Sequence, residues 1–106
     1  MSIVGVDLGG TKIAVASLRD GSLSESTILK TELSSRDALL DQLTTAVESA
    51  KENDLEAVGI GVPSIVDFET GRVVSSTNIP LADVPLREVL SDRLGIPVFV
   101  WQRRHA

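Results

Sequence analysis

The stretch Ile3-Val4-Gly5-Val6-Asp7-Leu8-Gly9-Gly10-Thr11-Lys12-Ile13-Ala14-Val15-Ala16 decides how the rest of the chain is read, because two apolar runs meet there across a pair of glycines. Ile3 to Leu8 is apolar at nearly every position, as expected of a strand covered on both faces, and Lys12 to Leu18 continues as a second strand. Gly9 and Gly10 have no Cβ, so the backbone can turn tightly and bring its N–H groups close to an anion. Thr11 and Lys12 set further donors beside them. Asp7, where the first run ends, would repel a bare phosphate but suits an Mg2+ ion, or a water held between that ion and phosphate oxygens. The same residues also fit a plain β-hairpin turn, and so short a motif does not by itself separate a hairpin from a nucleotide site.

Outward from this turn, Arg19-Asp20-Gly21-Ser22 supplies turn chemistry, and Ser26 to Leu33 reads as a third strand at or near an edge. Short connections predict that these three strands pair antiparallel. Ser34-Ser35-Arg36-Asp37 offers a hydroxyl cap and an early acid for a helix with Leu39, Leu43, Ala46, Val47 and Ala50 on its inner side, ending near Asn53. Asp41, Glu48, Lys51 and Glu52 form its solvated face. Leu55 to Val62 follows as a buried strand, and a strand reached through a helical crossover lies parallel to an earlier one.

Pro63-Ser64 ends that strand, and Asp67 to Arg72 reads as a turn between the extended pieces Ile65-Val66 and Val73-Val74. Asp83 is placed to cap a second helix, with Pro85 in its first turn, Leu86, Val89, Leu90 and Leu94 facing inward, and Gly95 as the stop. Ile96 to Val100 is the last strand. The expectation is an α/β domain with a mixed five-stranded sheet and two main helices.

At 106 residues the chain holds one domain, whose core must be aliphatic because it has two Phe, one Trp and no Tyr. The net charge of −5 argues against a nucleic-acid surface, so an anionic ligand must be held locally. Without cysteine there is no disulfide and no thiolate metal site. No apolar run approaches the length of a membrane span, and no signal-like segment opens the chain, so a cytoplasmic protein without membrane partners is expected.

Asp-Leu-Gly-Gly-Thr-Lys (residues 7–12) resembles the first phosphate-binding motif of the ROK family of sugar kinases and repressors, which share the actin-like ATPase fold. Two later segments agree in order and spacing. Gly59-Ile60-Gly61-Val62-Pro63-Ser64 resembles the family's Gly-x-Gly-x-Pro-Gly, which lines the sugar pocket, with Ser64 where a last glycine is usual. A positive φ there would suit Ser poorly. Ser76-Thr77-Asn78-Ile79-Pro80 resembles the segment whose Asn bonds sugar hydroxyls, while Leu81-Ala82 stands where many relatives carry a Trp.

The resemblance implies the ribonuclease-H-like N-terminal lobe of an actin-like ATPase over residues 1–100, with ATP and Mg2+ as cofactors, a hexose such as glucose as substrate, and homo-oligomers among full-length relatives. It assigns Asp7, Gly9, Gly10, Thr11 and Lys12 to the phosphates, Asp7 to the metal, and Gly61, Val62, Pro63, Ser64 and Asn78 to the sugar. The family's later Glu-x-Gly-His segment and zinc-binding cysteines are absent from this chain.

The resemblance breaks after Val100. Where the family carries Asp-Asn-Asp-Ala-Asn, whose second Asp is the catalytic base, this chain reads Trp101-Gln102-Arg103-Arg104-His105-Ala106. Arg103 stands in place of the base, and a guanidinium stays protonated. His105 titrates near neutrality but, alone in a tail, reads as a frayed residue rather than a catalyst. Residues 101–106 are thus expected to be a non-family tail, and a frameshift would account for it: Trp101 to His105 can be encoded TGG CAA CGA CGC CAC, which read one base later gives Gly-Asn-Asp-Ala. Three functions stay open: the lobe of a hexose kinase, a ROK regulator, whose winged helix would have to precede Met1, and a non-catalytic fragment that binds phosphate or sugar.

Overall fold

The computed structural model describes residues 2–50, 54–76 and 78–103. Strand β1 (Ser2–Leu8) turns into β2 (Lys12–Arg19), and the two pair antiparallel with Leu8 opposite Ile13. The lane outside β2 is shared by two short strands, β3 (Ser22–Leu23) against Leu18 and Arg19, and β4 (Thr27–Lys30) against residues 12–15. Helix α1 (Arg36–Ala50) crosses over the sheet, and β5 (Leu55–Val62) returns parallel to β1. A hairpin of β6 (Ile65–Asp67) and β7 (Arg72–Ser75) precedes α2 (Leu86–Leu94), and β8 (Val98–Gln102) lies parallel to β5. In space the lanes run β3 and β4, then β2, β1, β5 and β8, a mixed five-lane sheet with two main helices, as expected.

Alternation along the strands decides where the core lies. Val4, Val6, Leu8, Ile13, Val15, Val58, Ile60, Val62, Val98 and Val100 point to one face, where they meet Leu39, Leu43 and Val47 of α1 and Leu86 and Leu90 of α2. Fully burying one such aliphatic side chain contributes about 1.5–3 kcal/mol. The other face is open, contrary to the expectation for β1, whose Gly5 and Asp7 are exposed. Both helices supply buried side chains to the same face, and the opposite one carries Gly5, Ala14, Ala16, Gly59 and Gly61, which read as apolar in a sequence but bring almost no side chain to bury. Phe99 and Trp101 of β8 stand on this side, 58% and 44% exposed, and a Cβ built on Gly59 would come within 2.9 Å of the Trp101 ring.

Several boundaries differ from the sequence expectation for local reasons. The third strand, expected over 26–33, is reduced to β4, and Thr31 beyond it is buried. Ser35 caps α1 through its Oγ, which accepts the Ala38 N–H at 3.0 Å, while the end expected near Asn53 lies outside the described residues. Asp83 does not cap α2: the cap position is Pro85, and the Asp83 carboxylate accepts from Arg72 Nε at 3.0 Å and Nη2 at 2.8 Å. Gly95 ends α2 in the left-handed region and donates to the Ser91 carbonyl. The last strand runs to Gln102 because Val62 of β5 is there to pair with it. Among the described residues no helix is long and apolar enough to cross a membrane.

Candidate functional site

The carboxyl ends of β1 and β5 lie side by side, and register sets Ala14, Asp7, Gly61 and Trp101 in one row across the open face. Beyond this row comes the glycine turn. Gly9 donates its N–H to the Lys12 carbonyl at 2.9 Å, which closes the hairpin. Thr31, 5% exposed, then clamps the turn from the neighbouring lane: its hydroxyl donates to the Gly9 carbonyl at 2.8 Å, and its N–H donates to the Thr11 carbonyl at 3.0 Å. Gly10 is thus bracketed by two fixed carbonyls. Thr11 and Lys12 are exposed, and Lys12 is directly opposite Lys30 in the β2–β4 register, so two ammonium-bearing chains share one face of the sheet beside the turn.

Asn78 completes this corner. A Cβ on Gly10 would stand 3.5 Å from the Asn78 Cβ, so the phosphate turn and the Asn that the sequence assigns to a sugar are neighbours in space. Of the other sugar-side residues, Gly61 is buried under Trp101, and Val62 turns its side chain wholly into the core. Pro63 is half-buried. Ser64 is buried, and its Oγ donates to the Ser76 Oγ at 3.0 Å. Among the described residues, the non-glycine positions with positive φ are Asp20 and Asp83, so Ser64 carries no such strain in the place of a glycine. Thr77, Arg104, His105 and Ala106 lie outside the described residues.

Arg103 reaches this corner from the far side of β5. Its N–H donates to the Val62 carbonyl at 2.8 Å, and its Nη1 donates to Asp7 Oδ1 at 2.6 Å. With side chains 42% and 55% exposed, the pair is partly screened by solvent and is worth at most about 1 kcal/mol. It nevertheless decides what Asp7 faces. Among the described residues no three of His, Asp and Glu gather as a metal centre, and the Asp7 carboxylate accepts from the Arg103 guanidinium.

The sequence reading singled out Asp7, Gly9, Gly10, Thr11, Lys12 and Asn78, and the structure sets Asn78 beside Gly10, but that reading missed Thr31 and the partnership of Arg103 with Asp7. A hydroxyl at the end of a short strand signals nothing until the register places it beside a turn. A concavity of about 590 Å3 holds none of the expected site residues. It is a seam between α1 and the outer lane, bridged by Gln42, which accepts from the Glu32 N–H and donates to the Lys30 carbonyl, both at 2.8 Å.

The sequence profile of the ROK family matches residues 3–103. A glucokinase of Streptomyces coelicolor is 35% identical over 98 residues, covering 92% of this chain and 31% of that protein. A ROK hexokinase from Thermus thermophilus superposes with a TM-score of 0.85 at 34% identity, over 96% of this chain and 35% of its own. A ROK family glucokinase from Streptomyces griseus, solved in complex with glucose and AMPPNP, superposes with a TM-score of 0.86 at 34% identity, over 96% of this chain and 33% of its own. The chain therefore spans about a third of the length of these relatives, and its lanes and helices have the actin-like ATPase fold.

Proposed function

Since this chain belongs to the ROK family, we propose that it is the amino-terminal part of an ATP-dependent hexose kinase of the glucokinase kind, and that as it stands it holds sugar and phosphate without joining them. The observation that carries this reading is the contact of Gly10 with Asn78. Phosphoryl transfer needs donor and acceptor within reach of each other, and here the turn that would hold phosphates lies beside the Asn that would hold a sugar hydroxyl. An amide both donates and accepts, as a hydroxyl does. Asp7, Gly9, Gly10, Thr11 and Lys12 form the donor side, and Gly61 to Ser64 with Asn78 the acceptor side. Support for ATP and glucose as the pair comes from the Streptomyces griseus relative, which holds glucose and AMPPNP together.

Transfer itself requires that the attacking sugar hydroxyl lose its proton. Arg103 stands where the resemblance expects the acceptor of that proton, and a guanidinium is already fully protonated. Two measurements test the proposal on the purified chain. Glucose should shift the backbone amides of Gly61, Val62, Ser64 and Asn78 in a 15N spectrum, Asn78→Ala should abolish the response, and ATP should not be consumed in the presence of sugar. Silence of those amides at high glucose refutes the ligand-holding role, and sugar-dependent ATP turnover refutes the missing base.

A further inference from the structure

Resting on the reading of Gly9 to Lys12 as a phosphate turn, we infer that Arg103 makes this a metal-independent site, one that takes fully charged phosphate groups in place of their magnesium complexes. Three observations combine. First, Asp7 Oδ1 accepts from Arg103 Nη1 at 2.6 Å, so the acid that would otherwise repel phosphate or draw a divalent ion is paired with a cation of the same chain. Second, the same contact aims the guanidinium: Nη2 stands 3.9 Å from the point a Cβ on Gly9 would occupy, over the turn, and a guanidinium has more N–H groups than one carboxylate oxygen can use. Asp7 is then a positioning residue for Arg103, and the backbone bond from Arg103 to the Val62 carbonyl fixes the root of the side chain.

Third, Lys12 lies opposite Lys30 at the mouth of the turn, on the face that Asp7 shares. Like charges directly across two strands cost stability unless an anion lies between them. Lys12, Lys30 and Arg103 against Asp7 and Glu32, whose carboxylate interacts with Lys30, leave the corner with a surplus of positive charge, although the whole chain is acidic at −5. A phosphate chain stripped of metal matches that surplus. One already neutralised by Mg2+ does not, and its ion is repelled by a guanidinium that occupies the near side of Asp7.

Inorganic tripolyphosphate is the probe, because it presents phosphates without a base or sugar, and the readout is the amide shifts of Gly9, Gly10, Thr11 and Lys12 during titration. In EDTA the chain should bind it roughly tenfold more tightly than in excess Mg2+, the scale of one charge-assisted contact. Arg103→Gln should abolish or invert that preference. Its backbone N–H can still bond the Val62 carbonyl, and the preference of the unaltered chain tests the inference even if the variant unfolds. Tighter binding in Mg2+ by the unaltered chain overturns the inference and leaves the phosphate turn standing, as does an EDTA preference that survives in a folded Arg103→Gln. No binding in either buffer overturns both.

Discussion

Replacing Thr31 with Val tests whether the outer lane holds the phosphate turn in place. Valine keeps the branched shape and removes only the hydroxyl, so the Gly9 carbonyl loses a donor at 2.8 Å while the main-chain bond from Thr31 to the Thr11 carbonyl, at 3.0 Å, remains. Because Thr31 is only 5% exposed, water reaches the vacated side of that carbonyl poorly. Losing one such bond costs about 1–2 kcal/mol. For a small domain with a urea dependence of roughly 1–1.5 kcal/mol per molar, the unfolding midpoint should fall by about 1 M with the slope unchanged. Far-UV circular dichroism measures this. Hydrogen exchange supplies the local signature: Gly10 and Thr11 amides should speed up by more than the global loss of stability accounts for, while Val58 and Ile60 in the core strand change only by the global amount. Thr31→Ser should restore the slower exchange. A midpoint shift below about 0.3 M, or acceleration spread evenly over the sheet, would refute the clamp.

Three further outcomes follow from the structure. Gly71→Ala should cost about 3 kcal/mol in a denaturant titration, since Gly71 has φ 73° and a Cβ there would sit 2.4 Å from the Arg87 Cβ, and an unchanged midpoint would mean that the β6–β7 hairpin does not rest on α2. The Ser34 hydrogen bonds to Glu32 lower its carboxyl below the usual glutamate range, so its contribution is present above the unfolded-state value and is lost as pH falls through the lower folded one. Stability measured from about pH 5 downward should therefore decline less in Glu32→Gln than in the unaltered chain, and identical profiles would remove that carboxylate from the account. With one sheet face uncovered and Phe99 and Trp101 largely exposed, the isolated chain should unfold below about 60 °C at low concentration, and a calorimetric midpoint well above this would show that the open face costs little.

What the sequence made legible was local. Leu55 to Val62 reads as a strand from its own composition, Gly95 as a helix stop from its own conformational freedom, and Asp67 to Arg72 as a turn, and the structure has all three. The glycine turn was legible for the same reason, as one short segment. Contacts between distant segments were not. Arg103 and Asp7 are 96 positions apart, and nothing in either residue type announces that β8 will bring them together across β5. Asp83 was misread because an acid three residues before a helix resembles a cap, whereas Arg72 from the neighbouring strand competes for the same carboxylate and wins with two donors. The open face was misread because glycine and alanine count as apolar in a hydropathy scan and yet leave a strand with nothing to bury.

The two rims of the sheet behave differently as templates. On one side the outer lane is cut into β3 and β4, so a passing strand meets no continuous row of donors and acceptors. Such interruption guards against edge-to-edge growth. On the other side β8 runs unbroken for five residues and, among the described residues, has a sheet partner on one flank only, and it carries Phe99 and Trp101 on its uncovered face. Colloidal repulsion from the chain's net charge of −5 keeps that rim apart in dilute solution, and salt weakens the repulsion. Higher ionic strength should therefore favour association of this protein through the β8 rim rather than through the interrupted one.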